Sequence, residues 1–158
     1  MLDIKLEAKG FDLKDIIKEI NLLEKLTTEQ ADIGIFESKS ARNPEKDGKA
    51  RKSNAEIGYA HEFGVPNRNL PRRSFLRKPL ADGSLETELN NTPIELDRKL
   101  LSNVAEAYLR AVKEEIIAWG YGEWPDLRRS TWESKKNKEM LRETEQLYNS
   151  LDKRIVKK

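Results

Sequence analysis

The sequence predicts an α+β fold in which two main helices pack on a small mixed or antiparallel sheet, with a long basic loop and an extended arm. Three observations indicate this fold. Short segments alternate apolar and polar residues with the period of two that is typical of a strand with one buried face. Two longer segments repeat apolar residues at the spacing of an amphipathic helix. The segments between them are polar or contain several prolines, which favours loops.

The first three elements follow from this periodicity. Residues 2–7 alternate apolar and charged side chains, which predicts a strand. Residues 12–26 predict a helix, because their apolar side chains fall on one face. Residues 31–37 predict a second strand, in which Ile33 and Ile35 share one face. The apolar stripe of the predicted helix comprises Leu13, Ile16, Ile17, Ile20 and Leu23.

A basic loop is predicted between the second strand and the next helix. Residues 38–53 contain no large apolar side chain, and they carry six basic residues against two acidic ones. We expect a mobile loop, because nothing in the segment can be buried to offset the entropy lost on ordering. Its cations suit DNA phosphates or an acidic protein surface, whereas a solvated loop that opposes aggregation is the alternative. The candidate contact residues are Lys46, Lys49, Arg51 and Lys52.

A short helix and an extended arm are predicted next. Asn54 can cap the helix, and Gly64 ends it. Residues 65–91 predict an extended arm, because prolines interrupt the segment and arginines alternate with apolar side chains. Such an arm can lie along a neighbouring subunit with Phe75 and Leu76 at the boundary, whereas a loop folded onto its own domain is the alternative. The candidate partner-binding residues are Phe63, Leu70, Arg72, Arg73, Phe75, Leu76 and Arg77.

The second main helix has the clearest start of any element. Thr92 and Glu95 have the spacing of a capping box, and Pro93 occupies a favoured first helical position. Apolar residues then continue on one face until Gly120 supplies the stop. Residues 120–158 predict a C-terminal extension with enough apolar residues for a short helix and a closing strand. These residues are Leu147, Leu151, Ile155 and Val156.

Composition bounds the function. The 158 residues predict a single domain, and the absence of cysteine excludes a disulfide framework, a thiolate metal site and a cysteine nucleophile. His61 is the only histidine, so the chain lacks the second histidine that a zinc-protease helix places one turn later. Neighbouring carboxylates such as Glu114 and Glu115 predict a solvated helix face. We therefore expect no enzyme, no cofactor and no metal site.

Charge and hydropathy bear on the cellular setting. The net charge of +2 gives no argument for nucleic acid from the whole chain. The first residues alternate in sign, unlike a signal peptide. No apolar stretch approaches the roughly 18 residues that span a bilayer. These observations predict a soluble protein that has no membrane partner and is made in a reducing compartment or assembled into a particle there.

Two stretches of the chain carry a resemblance to a known family. Residues 55–64, AEIGYAHEFG, followed by residues 70–77, LPRRSFLR, resemble a signature of the small neck, tail-completion and virion-morphogenesis proteins of tailed bacteriophages. Residues 124–127, WPDL, are similar to the start of the second signature of that family, and the similarity continues through the Ser-Thr pair at 130–131, Lys135, residues 141–147 and Ser150. Each motif alone is moderately specific, and the pair in this order is more so.

The resemblance covers about residues 31–151 and has departures. Arg73 and Ser74 stand where alanine-arginine-proline is usual in the family. Glu145 replaces a glycine, a residue that permits a left-handed turn. The insertion at residues 38–53 is long and basic for the family.

The resemblance implies a structural protein, not an enzyme. It implies a homo-oligomeric ring of six subunits at the head-to-tail junction of the virion, assembled in the host cytoplasm. Its implied partners are portal or adaptor proteins, the tail tube protein, and genomic DNA passing through the lumen. A tail terminator and a neck adaptor both fit this description. The alternative function is a nucleic-acid-binding module, in which the basic loops hold phosphates and the tryptophans stack on bases.

Overall fold

The α+β class is confirmed by the computed structural model, which describes residues 13–42, 52–93 and 99–158. The described chain is mostly helical and contains one two-stranded antiparallel sheet. Short 3-10 helices lie at Pro66–Arg68 and Gly120–Gly122. The remaining elements are α1 (Leu13–Thr28), β1 (Glu29–Ile35), α2 (Glu37–Ser40), α3 (Asn54–Phe63), α4 (Lys78–Ala81), α5 (Ser84–Asn90), α6 (Leu100–Ile117), α7 (Arg129–Ser134), α8 (Gln146–Ser150) and β2 (Leu151–Lys157).

The sheet joins two segments that are far apart in the sequence. Strand β1 pairs with β2 so that Ile33 lies opposite Lys153 and Ile35 lies opposite Leu151. Both isoleucines pack against the hydrophobic core, as the alternating pattern predicts. The predicted closing strand is therefore confirmed, and β1 begins two residues before its predicted start. The strand predicted at residues 2–7 lies outside the described residues.

The core forms between the sheet, helix α6 and the chain that follows it. Its buried side chains come from α6 and from four other parts of the sequence. Helix α6 ends at Ile117, three residues before the predicted stop at Gly120. Trp119 and Gly120 both have positive φ angles, and a Cβ on Gly120 would overlap the Trp124 indole. The core cluster comprises Phe75, Leu109, Val112, Ile116, Trp124, Met140 and Leu151.

The predicted start of the second main helix at Thr92 falls partly outside the described residues. The Thr92 hydroxyl donates to the carbonyl of Glu88, so this residue closes α5. The first described residue of α6 is Leu100, and residues 94–98, which include the rest of the proposed capping box, lie outside the described residues.

The predicted first helix is confirmed as α1, but the described part of its apolar stripe is not packed on the sheet. It begins at Leu13 and ends at Thr28. Ile16, Ile17, Ile20 and Leu23 lie at the surface of the described structure, from 37% exposed at Ile16 to 63% exposed at Leu23, whereas Leu22 and Leu26 are half-buried. The described structure thus leaves an apolar helix face without an intrachain partner.

The arm contains more regular structure than the sequence predicts, and so does the described start of the basic loop, residues 38–42. Within residues 65–91 the chain forms α4 and α5, because Pro79 occupies the first turn of one helix and Gly83 adopts the positive φ that precedes the other. The start of the loop forms α2, whose buried Ser40 accepts a hydrogen bond from the Ala55 amide. Lys52 is exposed. The candidate residues Lys46, Lys49 and Arg51 lie outside the described residues.

Candidate binding groove

A buried carboxylate fixes the turn that carries the family-like motif. Helix α3 begins at a capping box formed by Ser53 and Glu56, one residue before the predicted cap, and ends at Gly64. This places Glu62 in its last turn, with the carboxylate buried. The carboxylate accepts hydrogen bonds from the Ser74 hydroxyl at 2.6 Å, from the Phe75 amide at 2.8 Å and from the Leu76 amide at 2.9 Å.

The charged form of Glu62 is the one that this turn stabilises. Burial by itself raises the pKa of Glu62, but the hydrogen bonds from Ser74, Leu76, Arg77 and Phe75 outweigh it and hold the pKa below its usual value. The Arg77 guanidinium adds an ion pair at 2.9 Å from its exposed position. Glu62 stands in the Glu-Phe-Gly step of the first signature but is not among the candidate residues that the sequence singles out.

The hydrogen-bonded turn corrects the prediction for the centre of the arm. Phe75 is 0% exposed and belongs to the core, so the expectation that it packs at a subunit boundary is wrong. The reason is geometric: Glu62 binds the backbone on both sides of Phe75 and turns its side chain inward. Arg73 is also buried, at 4% exposed, and Leu76 packs against the core.

The other predicted partner-binding residues are accessible to different degrees. Phe63 is exposed, with the Arg77 guanidinium 4.4 Å from its ring centroid and the Tyr59 ring 4.6 Å away. Arg72 is exposed, and Leu70 is half-buried in an antiparallel bridge with Val65. Four predicted residues line a common groove, namely Phe63, Leu70, Arg72 and Arg73.

This groove has a volume of about 870 Å³ and lies between the two family-like motifs. One wall comes from helix α3 and the turn after it, through residues such as Ile57 and Pro71. The opposite wall comes from the chain between Pro125 and Leu147. Residues of both signatures therefore face each other across one concave surface. Its apolar lining includes Ile57, Leu127, Met140, Leu141 and Leu147.

Three basic side chains lie close together in the lining. Arg73 donates through Nη2 to the carbonyls of Pro125 at 2.9 Å and Asp126 at 3.4 Å, which ties the two walls together. Lys135 has a side chain only 11% exposed, and its Nζ lies 3.9 Å from the Glu143 carboxylate. Burial, followed by the positive charges of Arg73 and Lys135, lowers the pKa of His61 to about 4. The imidazole is therefore neutral at pH 7, in the helix-end role that the sequence predicts.

A second buried charge lies on the other side of α6. Glu115 is 0% exposed and lies 2.9 Å from Lys78 Nζ, so the prediction of a solvated face is wrong for Glu115 and holds for the exposed Glu114. Burial raises the pKa of Glu115 despite this pairing. Burial opposes the charge of Lys78 as well, but Glu115 and Glu123 outweigh it and raise the pKa of Lys78. The pair joins α4 to α6.

The aromatic residues do not form one stacking surface. Trp124 is buried in the core, and Trp119 donates through Nε1 to Glu139 at 3.2 Å. Trp132 is exposed, with Lys138 Nζ 5.4 Å from its ring centroid. The predicted preference of Trp119 and Trp124 for packing is therefore confirmed, and Trp132 is the tryptophan available to a ligand.

Two features are absent from the part of the chain that the structure describes. No group of three or more histidine, aspartate or glutamate side chains there could hold a metal ion. None of the described helices combines the length and apolar character required to cross a membrane.

Comparisons with protein-family models, with curated proteins and with solved structures find no match for this chain.

Proposed function

We propose that this protein is a structural component of a tailed phage that forms a ring, of six subunits by the family resemblance, at the head-to-tail junction. In that position it completes or terminates the tail and joins it to the DNA-filled head. Its partners there are portal or adaptor proteins on one side and the tail tube protein on the other. The resemblance supplies this placement, and the arrangement of both signatures around one groove supports treating them as one unit.

The observation that carries self-assembly is the exposed apolar face of α1. Ile16, Ile17 and Ile20 follow one another along the face, and Leu23 lies one turn further. A contiguous aliphatic stripe of this kind marks a protein interface more often than a free surface. In a ring, the α1 stripe of each subunit would pack against a different surface of the next subunit. Every copy would therefore use two distinct surfaces, one toward each neighbour.

The test compares Ile20→Lys with the control Asn21→Lys, which adds the same charge at the neighbouring exposed position. Burying an isoleucine is worth about 1.5–3 kcal/mol, so Ile20→Lys should raise the concentration for half-assembly about tenfold or more. The control should leave it within twofold. Native mass spectrometry and sedimentation measure the assembly, and both variants should keep the wild-type circular dichroism spectrum.

Electron microscopy tests the placement separately. A phage lysate without this protein should contain DNA-filled heads and tails that do not join, because only the two faces of the ring connect them. Tails of uncontrolled length would identify a terminator, since a tube built from repeating contacts has no intrinsic stop. Intact virions in normal numbers would overturn the placement. A wild-type chain that stays monomeric at assembly concentrations would overturn the ring.

A further inference from the structure

Among the described residues, the lining of the groove between the two motifs carries more basic than acidic side chains. Apart from Arg42, which donates to Asn54 and Thr144, the basic ones are Arg72, Arg73, Arg128 and Lys135, whereas the acidic ones are Asp126 and Glu143. Within the described residues the buried Arg73 has carbonyl oxygens and no carboxylate as partners. A buried guanidinium without a carboxylate is costly, which favours an anionic group bound nearby.

Two cations, Arg73 and Lys135, lie near each other in the groove lining. Burial lowers the pKa of Lys135 most; the Glu143 carboxylate opposes this effect and the Arg73 guanidinium adds to it. Both cations also disfavour protonation of the neutral His61. Lys135 Nζ donates to the Glu139 carbonyl at 2.7 Å, whereas the Glu143 carboxylate, at 3.9 Å, is too far away for a strong hydrogen bond. An incoming carboxylate would relieve this repulsion and pair with groups whose side chains are already held in place.

We propose that the groove binds an extended segment of a partner protein that carries several carboxylates beside an apolar side chain. The cations recognise the carboxylates, and the floor formed by Ile57, Met140 and Leu147 takes the apolar group. The exposed Arg72 and Arg128 lie on the rim and meet carboxylates further along the segment. The volume of about 870 Å³ is in the range of sites that enclose one ligand segment.

Nucleic acid fits this groove less well than an acidic peptide. Asp126 and Glu143 lie in the lining and would repel a continuous phosphate backbone. Trp124 precedes the wall and is buried, so it offers no face for a base. This inference goes beyond the ring function, because a peptide groove would operate on a monomer as well as within an assembly.

The probe is a dye-labelled, blocked octapeptide that alternates glutamate and leucine, measured by fluorescence anisotropy. The same peptide with glutamine for glutamate tests the charge requirement, and a dye-labelled oligothymidylate tests phosphate binding. We expect the glutamate peptide to bind at least tenfold more tightly than either alternative, because its carboxylates meet desolvated cations beside an apolar floor.

Two pairs of variants locate the binding. Lys135→Gln should weaken binding of the glutamate peptide about tenfold and Arg128→Gln about threefold, because Lys135 is the more buried of the two. The matched controls Lys136→Gln and Arg129→Gln change exposed neighbours outside the groove and should stay within twofold. Arg128 is exposed, so Arg128→Gln keeps the test valid if Lys135→Gln fails to fold.

His61 provides a site-specific readout, because the chain contains one histidine. Its imidazole NMR signal should shift on saturation with the glutamate peptide and stay unchanged with the glutamine peptide. Equal effects of the groove variants and their controls would overturn the proposal, as would an absence of peptide binding. If oligothymidylate bound more tightly than the glutamate peptide and the groove variants weakened that binding, the ligand of the groove would be a nucleic acid and not an acidic peptide. None of these outcomes depends on whether the protein forms a ring.

Discussion

Glu62→Gln is the substitution that most directly tests how the fold is held together. Glutamine has nearly the shape of glutamate but carries no charge, and it replaces one acceptor oxygen with a donor. One carboxylate oxygen of Glu62 accepts from the amides of Phe75 and Leu76, and the other accepts from Ser74 and from Arg77. In Glu62→Gln the remaining carbonyl oxygen can still accept from the amides of Phe75 and Leu76. The new NH2 group is a donor, however, and it would face the Ser74 hydroxyl and the Arg77 guanidinium, which are also donors.

The expected cost follows from the bonds that are lost. Hydrogen bonds to a charged group contribute about 1.5–3 kcal/mol each, but bonds that share one oxygen do not add fully. Opposing donors in a buried position add a desolvation penalty, which gives a total of about 3–5 kcal/mol. For a domain of this size that loss lowers the melting temperature by about 6–20 °C. The contribution of Arg77 to this total is small, because its side chain is 51% exposed.

Urea unfolding followed by circular dichroism measures the loss, and Glu133→Gln is the control. Glu133 is an exposed partner of Arg129, so its substitution should change the free energy of unfolding by less than about 0.5 kcal/mol. Repeating the comparison at lower pH tests the cause. The pKa of Glu62 is lowered in the folded state, so its contribution is complete above the unfolded pKa of about 4.3 and is lost as the pH falls through the folded pKa.

The stability difference between wild type and Glu62→Gln should therefore be largest near neutral pH and should narrow below about pH 4. A loss under about 1 kcal/mol at pH 7 would refute the view that this carboxylate anchors the turn. A difference that stays constant down to pH 2 would show that the loss arises from shape and not from charge.

Two further predictions concern the core and the chain before α8. Phe75→Ala should lower the free energy of unfolding of the dilute monomer by about 3–5 kcal/mol, because the side chain is fully buried. Normal stability of the monomer together with impaired assembly would contradict this prediction and would place Phe75 at a subunit boundary. Glu145 has a φ of 56°, a conformation that glycine adopts more easily than alanine, so Glu145→Gly should be more stable than Glu145→Ala by about 1 kcal/mol. Both variants lose the ion pair with Arg142, so this loss cancels in the comparison. Denaturant titration compares the two, and equal stability would exclude backbone strain.

The elements that the sequence predicted well are those with local causes. Ile33 and Ile35 alternate with polar residues, Gly64 ends α3, and Gly120 follows α6 with a positive φ. Glu145 is also informative, because the glycine of the family-like motif coincides with a left-handed residue in the structure. Periodicity and glycine geometry depend on neighbours within about four residues, so they can be seen without the rest of the fold.

Burial of charged residues was not predicted where its cause is distant. The donors to Glu62 lie 12 to 15 residues further along the chain, and arginine-rich, proline-containing sequence suits an intermolecular arm as well as an internal turn. Glu115 could have been found, since it lies three residues after Val112 and one before Ile116, on the apolar face of α6. Its partner Lys78 could not, because 37 positions separate the two residues.

Arg73 and Glu62 together give the groove a fixed shape. The Arg73 amide donates to the His61 carbonyl at 2.7 Å, while its side chain holds the carbonyls of Pro125 and Asp126 in the opposite wall. Glu62 binds the next residues of the same turn, so one short stretch of chain is attached to α3 and to the second motif. A site whose walls are joined in this way loses little conformational entropy when a ligand enters. Two of the buried charges that make this fold difficult to predict, Glu62 and Arg73, are therefore also the ones that fix the shape of the groove.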